Sequence, residues 1–515
     1  MEVTHKFIIL FYPVNPVKNM KTCAFITLGC KVNQYETQAI RESLAAKGFV
    51  ETAPEQAADL YVINTCTVTS ASDEKSRQYI KRVLRKNPSA TVVVTGCYAE
   101  ADAEAIKNME GVDYVITKAE EAQLAEIVSS GTAHHVTKQK TVTPLKSSNN
   151  QKNPLSSLPL GEVEAVGITT HPNPIEEDVA NQSLTISPVS PPSKGREWER
   201  DTHIPLSEKE SIYNLKISHF AGHTRAFLKV EDGCDMYCSY CIIPYVRGGI
   251  KSRRPQDILE EAKRLIQNGY KEIVLTGIHL GAYGKETQEN LRLLDVINML
   301  SNLSGLERLR LSSIEANEIT DDLIDLVVHT KQICPHFHIP LQSGDDFILK
   351  RMNRKYTSSQ YLETLDNIRS KIDSPSFTTD VIVGFPGERD EHFENTIDLC
   401  KKAVFSRMHI FPFSARKGTP AAKMSDHCPP QIIKKRKSLL DAVAKTSALS
   451  YKKLFLNTRA EVLVETERDP KTNKLCGYTE RYIKVLFDGP DTIKNSIVSV
   501  QIEEATPSLA MGTLQ

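Results

Sequence analysis

Three of the chain's eleven cysteines, Cys234, Cys238 and Cys241, form a C-x-x-x-C-x-x-C run. Three thiolates at this spacing can hold three irons of a cubane cluster and leave the fourth iron open. A structural zinc site instead takes four protein ligands, usually as two separated pairs, and no second pair follows here. An open iron can bind the amino and carboxylate groups of S-adenosylmethionine (SAM) and pass one electron to the sulfonium, releasing methionine and a 5′-deoxyadenosyl radical. Cys30, Cys66 and Cys97 are spread at intervals of 36 and 31 residues. Each lies just past the C-terminal end of a predicted parallel strand, and such ends converge on one crevice of a doubly wound sheet. Gly29 and Gly96, directly ahead of two of them, leave room for close backbone approach. On the residues alone two readings stand: a second cluster site, or three unrelated core cysteines. Cys23, Cys334, Cys400, Cys428 and Cys476 follow no partner pattern and read as small buried hydrophobes.

The elements that must position these cysteines are legible as alternating periods. In residues 21–138 the short apolar runs Cys23–Leu28, Leu60–Ile63 and Val92–Val94 alternate with helical patterns over Tyr35–Lys47 and Asp73–Lys86. This predicts a small doubly wound α/β domain. Residues 139–212 carry nine of the 26 prolines, mixed with Ser, Asn and Thr, together with the only tryptophan, Trp198. That stretch cannot bury enough apolar surface to offset its ordering entropy, so it reads as a disordered linker or insertion. Deleting it is expected to leave activity intact, and loss of turnover in a deletion protein that still holds its clusters would refute this. From Arg225 to Arg416 the alternation returns, with strands predicted at Ala226–Glu231, Glu272–Thr276, Arg308–Ser312, His336–Leu341, Thr379–Gly384 and His409–Phe413. Six βα units in series predict an open, partial (β/α)6 barrel whose active site lies at the C-terminal strand ends. A basic helix over Gln431–Leu454 leads to period-two strands at Ala460–Glu465, Tyr482–Phe487 and Ile497–Ile502, a small β-barrel of the size used for RNA binding. The expected division is an extension 1–20, an N-terminal domain 21–138, the insertion 139–212, the barrel domain 213–445 and the terminal module 446–515.

Composition removes several alternatives. At 40% hydrophobic and 25% charged residues the chain is an ordinary globular protein. Its 64 basic residues cancel its 64 acidic ones, so any nucleic-acid surface must be a local patch. No run approaches the ~18 apolar residues of a membrane helix. The apolar run Phe7–Tyr12 lacks a small-residue cleavage site after it, and Met20, where globular patterning begins, is a candidate start. The expected location is cytoplasmic, with no membrane partner.

The segments Thr27–Thr37, Asn64–Val68, Val94–Cys97, Asp232–Cys234 and Cys241–Gly248 together resemble the radical-SAM methylthiotransferases. The resemblance runs from Lys21 to the C-terminus apart from 139–212, and includes a terminal module similar to the TRAM RNA-binding domain. Within the family, Lys31–Glu36 and Thr276–Gly281 most resemble the branch acting on threonylcarbamoyladenosine beside the tRNA anticodon. The isopentenyladenosine tRNA branch and the ribosomal-protein aspartate branch have different residues after the first Gly-Cys. The resemblance implies two [4Fe-4S] clusters and two SAM molecules per turnover. Cys30, Cys66 and Cys97 would hold the sulfur-donating cluster, and Cys234, Cys238 and Cys241 the radical-generating one. It further implies hydrogen abstraction at carbon 2 of the adenine ring, a tRNA anticodon stem-loop as substrate, and an electron donor such as flavodoxin or ferredoxin.

Further polar residues fall at strand ends of the barrel. Gly277, after the second strand, is placed to hold SAM through backbone carbonyls, or simply to make a βα turn. Ser313, Glu315, Gln342 and Asp380 are expected either to touch SAM or substrate or to cap helices. Ile314–Asn317 departs from the family's usual Ile-Glu-Pro-Asn by Ala316. His336 and His338 share one strand face and read as packed or hydrogen-bonded. RNA contact has two candidates, the cations Lys75, Arg77, Lys81, Arg82, Arg85 and Lys86 on one helix, and the run Lys434–Lys437. Arg253 and Arg254 are placed to meet RNA phosphate or the SAM carboxylate.

Overall fold

The computed structural model describes residues 21–130, 215–287 and 291–515. Residues 1–20 and 131–214, with the Phe7–Tyr12 run, Trp198 and the predicted insertion, lie outside the described residues.

Each predicted strand of the first domain is present. β1 (Thr22–Thr27), β2 (Val50–Glu51), β3 (Leu60–Thr65), β4 (Thr91–Gly96) and β5 (Tyr114–Val115) form a parallel sheet in the order β2-β1-β3-β4-β5. The apolar runs are continuous because both faces are covered. Tyr61, Ile63, Val92 and Val94 pack with Ile80, Val83 and Ile106 on one side, while Phe25, Leu60, Val62 and Val93 meet Ile40, Leu44 and Leu124 on the other. β2 and β5 have two residues each, too few to show a period in the sequence. In the register Thr27 stands opposite Asn64 and Thr65 opposite Gly96, so β1, β3 and β4 end side by side.

The second domain has six parallel strands. β6 (Arg225–Lys229), β9 (Glu272–Thr276) and β10 (Arg308–Leu311) form one three-stranded sheet. β11 (His336–His338), β12 (Ser376–Val383) and β13 (Arg407–Pro412) form the other. The bridges Leu309–Ile333 and Ser313–His338 join them edge to edge, which makes the predicted open barrel. A short antiparallel pair, β7 (Glu231–Asp232) and β8 (Lys251–Ser252), brackets the cysteine run.

The helix Pro430–Lys453 leads to a closed five-stranded barrel of β14 (Arg459–Val464), β15 (Leu475–Thr479), β16 (Lys484–Phe487), β17 (Ile497–Ala505) and β18 (Ala510–Leu514). β15 and β18 escaped the sequence reading because Gly477 and Gly512 interrupt their alternation. This barrel docks through arginines of β10: Arg308 donates to the carbonyls of Tyr478 and Glu461, and Arg310 to those of Glu480 and Thr479.

Lys452 is buried at the end of the long helix, its ammonium held by the carbonyls of Ser406, Ala448 and Pro507. Burial, with Arg407 adding to it, pulls its pKa down to about 8. An unfolded lysine titrates near ~10.4, so between these values the unfolded chain binds more protons and stability rises with pH. Urea midpoints measured from pH 8 to 10 are expected to climb in the native protein and to stay flatter in Lys452→Met.

Candidate active site

The ends of β1, β3 and β4 carry Cys30, Cys66 and Cys97. Cys30 sits exposed at the N-cap of the helix Lys31–Ala46, while Cys66 and Cys97 are buried. Gly96 makes the last placement possible: its φ is 93°, and a Cβ there would lie 2.4 Å from the Thr65 carbonyl oxygen. Asn33 gathers the three loops. Its Nδ2 donates to the carbonyls of Leu28 and Thr65 at 2.9 Å each. Its Oδ1 faces the sulfurs of Cys30 at 3.6 Å and Cys97 at 4.0 Å. Burial pushes the Cys97 thiol up to about 11 and raises that of Cys66, with Cys30 adding to both.

Cys234, Cys238 and Cys241 lie on the loop after β7. Gly233 has φ 86°, and a Cβ there would stand 2.0 Å from the Gly249 carbonyl oxygen, so only glycine lets the loop fold back on itself. The Cys234 amide donates to Gly248 O, Ser239 N to Met352 O, and the Asn353 amide to the Met236 and Tyr237 carbonyls. Arg354 donates to the Cys238 sulfur at 3.4 Å and pairs with Glu315. Burial, then the neighbouring Cys238, pushes the Cys241 thiol up to about 12, and Cys97 of the first trio contributes to that rise. The short helices Cys97–Ala101 and Ile243–Arg247 pack together, so the two trios face each other across one seam.

The predicted strand-end residues are all half-buried and separate into three places. Glu315 reaches the second trio through Arg354, and burial raises its carboxyl. Ser313, Gln342 and Asp380 gather around His338. Ser313 forms a backbone bridge to His338, the Gln342 backbone N–H donates to the Asp380 carbonyl oxygen at 2.8 Å, and Asp380 Oδ2 lies 3.4 Å from His338 Nε2. Burial would raise the Asp380 carboxyl, but His338, His409 and Lys31 outweigh it and hold it low. Gly277 stands against Glu231, which accepts from the amides of Ile278 and His279 at 2.8 Å each; a Cβ on Gly277 would meet that carboxylate at 2.6 Å. His336 and His338 are both hydrogen-bonded to Thr378, as expected.

Two readings of basic residues need correction. Arg253 meets neither RNA nor SAM: it is buried, donating to Glu261, Tyr35 and the Lys229 carbonyl. In the run Lys434–Lys437, Arg436 is buried against Glu388 and Lys437 pairs with Asp441, so Lys434 and Lys435 are its exposed cations. On the helix Ser70–Lys86, Lys75, Lys81, Arg82, Arg85 and Lys86 are exposed, while Arg77 is hydrogen-bonded to the Tyr98 hydroxyl. Sequence reasoning assigned no role to Asn33, Glu36, Arg247 or Arg354. Asn33 and Glu36 share one helix face three residues apart, but nothing near Arg247 or Arg354 in the sequence marks them, because their partners lie far away along the chain.

Comparison with known proteins follows this division. Residues 228–400 match the Radical SAM superfamily and residues 22–117 the uncharacterized protein family UPF0004. Fold and matches together define the class as a radical-SAM protein with an N-terminal UPF0004 domain. Over 493 residues the chain is 36% identical to a threonylcarbamoyladenosine tRNA methylthiotransferase of Bacillus subtilis, covering 94% of each chain. It is 29% identical over 490 residues to a tRNA-2-methylthio-N(6)-dimethylallyladenosine synthase of Carboxydothermus hydrogenoformans, covering 94% of this chain and 97% of that one. A solved structure, the radical SAM methyltransferase TsrM of Kitasatospora setae, aligns with a TM-score of 0.48 at 12% identity, over 78% of this chain and 77% of that one. The chain belongs to the radical-SAM tRNA methylthiotransferase family.

Proposed function

We propose that this protein adds a methylthio group to carbon 2 of threonylcarbamoyladenosine at tRNA position 37, next to the anticodon. The observation that carries the reading is the pairing of two cysteine trios across one seam, one on each α/β domain. An aromatic C–H is too strong and too weakly acidic for acid–base catalysis, so the site needs one-electron chemistry.

The donor sets suit two [4Fe-4S] clusters. Among the described residues no three His, Cys, Asp or Glu side chains close around a single metal ion. A cubane with its own sulfides has a wider footprint, and three cysteines leave it one open position. The buried Cys97 and Cys241 thiols, pushed up by burial, must release protons when metal binds, and Arg247 and Arg354 each donate to one sulfur, Cys97 and Cys238. Bound at Cys234, Cys238 and Cys241, cluster and SAM would supply the radical chemistry, while the cluster at Cys30, Cys66 and Cys97 would supply the sulfur, with two SAM consumed per turnover. This chain's own residues hold the sulfurs, and the half-buried polar residues Ser313, Glu315, Gln342 and Asp380, with Gly277, are available at three places along the strand ends for SAM and substrate. A flavodoxin or ferredoxin would deliver the electron, and the setting would be cytoplasmic. Among the described residues no helix is long and apolar enough to cross a membrane.

The tRNA would lie across the exposed cations of the helix Ser70–Lys86 and the terminal barrel. Changing Lys75, Lys81, Arg82 and Arg85 to glutamine is expected to weaken anticodon stem-loop binding. The slope of log K against log salt should flatten by about 0.7–0.9 for each phosphate that is no longer neutralised. A slope unchanged in a salt titration would remove this helix from the interface.

Mass spectrometry of nucleosides from total tRNA, with and without the gene, tests the function. The expected result is disappearance of 2-methylthio-threonylcarbamoyladenosine with accumulation of its unthiolated precursor. Loss of the 2-methylthio isopentenyl nucleoside instead would assign the other tRNA branch. An unchanged profile would turn attention to the ribosomal-protein aspartate.

A further inference from the structure

Arg247 stands between the two cysteine trios. It lies six residues beyond Cys241, at the end of the helix Ile243–Arg247, and the next residue, Gly248, accepts from the Cys234 amide. Its side chain is 1% exposed. Nη1 donates to Glu36 and to both oxygens of Asp232, each at 2.9 Å. Nη2 donates to Asn33 Oδ1 at 2.9 Å, the same oxygen that faces Cys30 and Cys97. Nε donates to the Cys97 sulfur at 3.3 Å. One guanidinium thus rides on the loop of the second trio and grips two supports of the first.

The surrounding charges balance without the cysteines. Glu36 is shared by Arg247, Lys229 and Lys118, and Asp232 by Arg247 and Lys229, while Lys118 also pairs with Glu121. Two carboxylates therefore set the plane of the fork, and a planar fork so held can aim its Nε–H only along one direction, toward Cys97. Lysine, whose three donors radiate from one nitrogen on a flexible stem, could neutralise the carboxylates but would not hold a donor at the sulfur in one fixed direction. We infer that Arg247 is a positioning residue that registers the sulfur-donating site against the radical site, holding Cys97 and Asn33 while its own backbone carries the loop of Cys241. This rests on the reading that both trios hold clusters.

Arg247→Lys and Arg247→Gln in full-length reconstituted protein test it by coupling rather than by rate. Both variants are expected to retain iron at both trios and to form 5′-deoxyadenosine from SAM. The yield of methylthiolated nucleoside per deoxyadenosine should fall by about tenfold or more, the scale set by removing one charge-assisted hydrogen bond. An unchanged ratio in Arg247→Lys, or equal loss of both products, would overturn the inference. A second measurement needs no change at Arg247. In a chain with Cys234, Cys238 and Cys241 replaced by alanine, arginine is labelled with 15N and the reduced auxiliary cluster is probed by pulsed electron paramagnetic resonance. A 15N coupling is the expected result. A cluster signal without that coupling would overturn the role of Arg247 alone, whereas absence of any iron cluster in this chain would overturn the two-cluster reading with it.

Discussion

Cys97→Ala is expected to leave SAM cleavage in place and abolish methylthio transfer, whereas Cys238→Ala abolishes both. The two cysteines lie on opposite sides of one seam, Cys97 at the end of β4 and Cys238 on the loop after β7. If the trios have separate tasks, loss of a ligand on one side should divide the activity in this way. Cys238 is buried and hydrogen-bonded to Arg354, so its replacement would remove one of the three proposed cluster ligands and leave that guanidinium short of an acceptor. Cys97→Ala removes the acceptor of the Arg247 Nε–H but leaves Arg247 paired with Glu36 and Asp232, so the second trio's loop should stay in place. Anaerobic assays of deoxyadenosine and methylthiolated nucleoside, with iron analysis, check this. Transfer surviving in Cys97→Ala would refute the division of labour, and deoxyadenosine formed by Cys238→Ala would refute the assignment of the radical site.

The largest expected loss of stability comes from Glu261→Ala. Glu261 is fully buried and pairs with Arg253 at 2.9 Å, itself without side-chain exposure. It also accepts from the hydroxyl of Tyr35, on the first helix of the N-terminal domain. Burial and that carboxylate together push the Tyr35 hydroxyl well above its usual range, so both groups depend on Glu261. Removing one partner of a buried ion pair leaves an uncompensated charge and costs roughly 3–5 kcal/mol. Urea unfolding should show a markedly lower midpoint for Glu261→Ala. A shift within about 0.5 kcal/mol of wild type, the range of ordinary surface substitutions, would mean that water or a rearranged carboxylate replaces the pair.

The same residues mark where sequence reasoning was accurate and where it stopped. β1, β3, β4 and β6, which lead into the two cysteine trios, were legible because they are largely buried and read as short apolar runs between helical periods. The strand ends then placed Cys30, Cys66 and Cys97 together, since a parallel sheet aligns the ends of neighbouring strands whatever their separation in sequence. Two strands of the terminal barrel were missed because a glycine broke each alternation. Arg253 and Arg436 were misread as candidates for ligand or RNA contact, since a cation's sequence neighbours do not reveal whether a distant carboxylate covers it.

By itself, then, the sequence determined the cysteine spacing, the order of strands and helices, and the family to which they belong, because these depend on local periodicity and on residues close along the chain. The tertiary structure alone decided which side chains complete the site. Asn33 meets Arg247 across 214 residues, Arg354 meets Cys238 across 116, and Tyr35 meets Glu261 across 226. Such pairs form only when segments distant in sequence close on each other, across two domains for Asn33 and Tyr35 and within the barrel for Arg354, and burial then turns ordinary polar residues into obligatory partners, because a charge removed from water must find its counterpart.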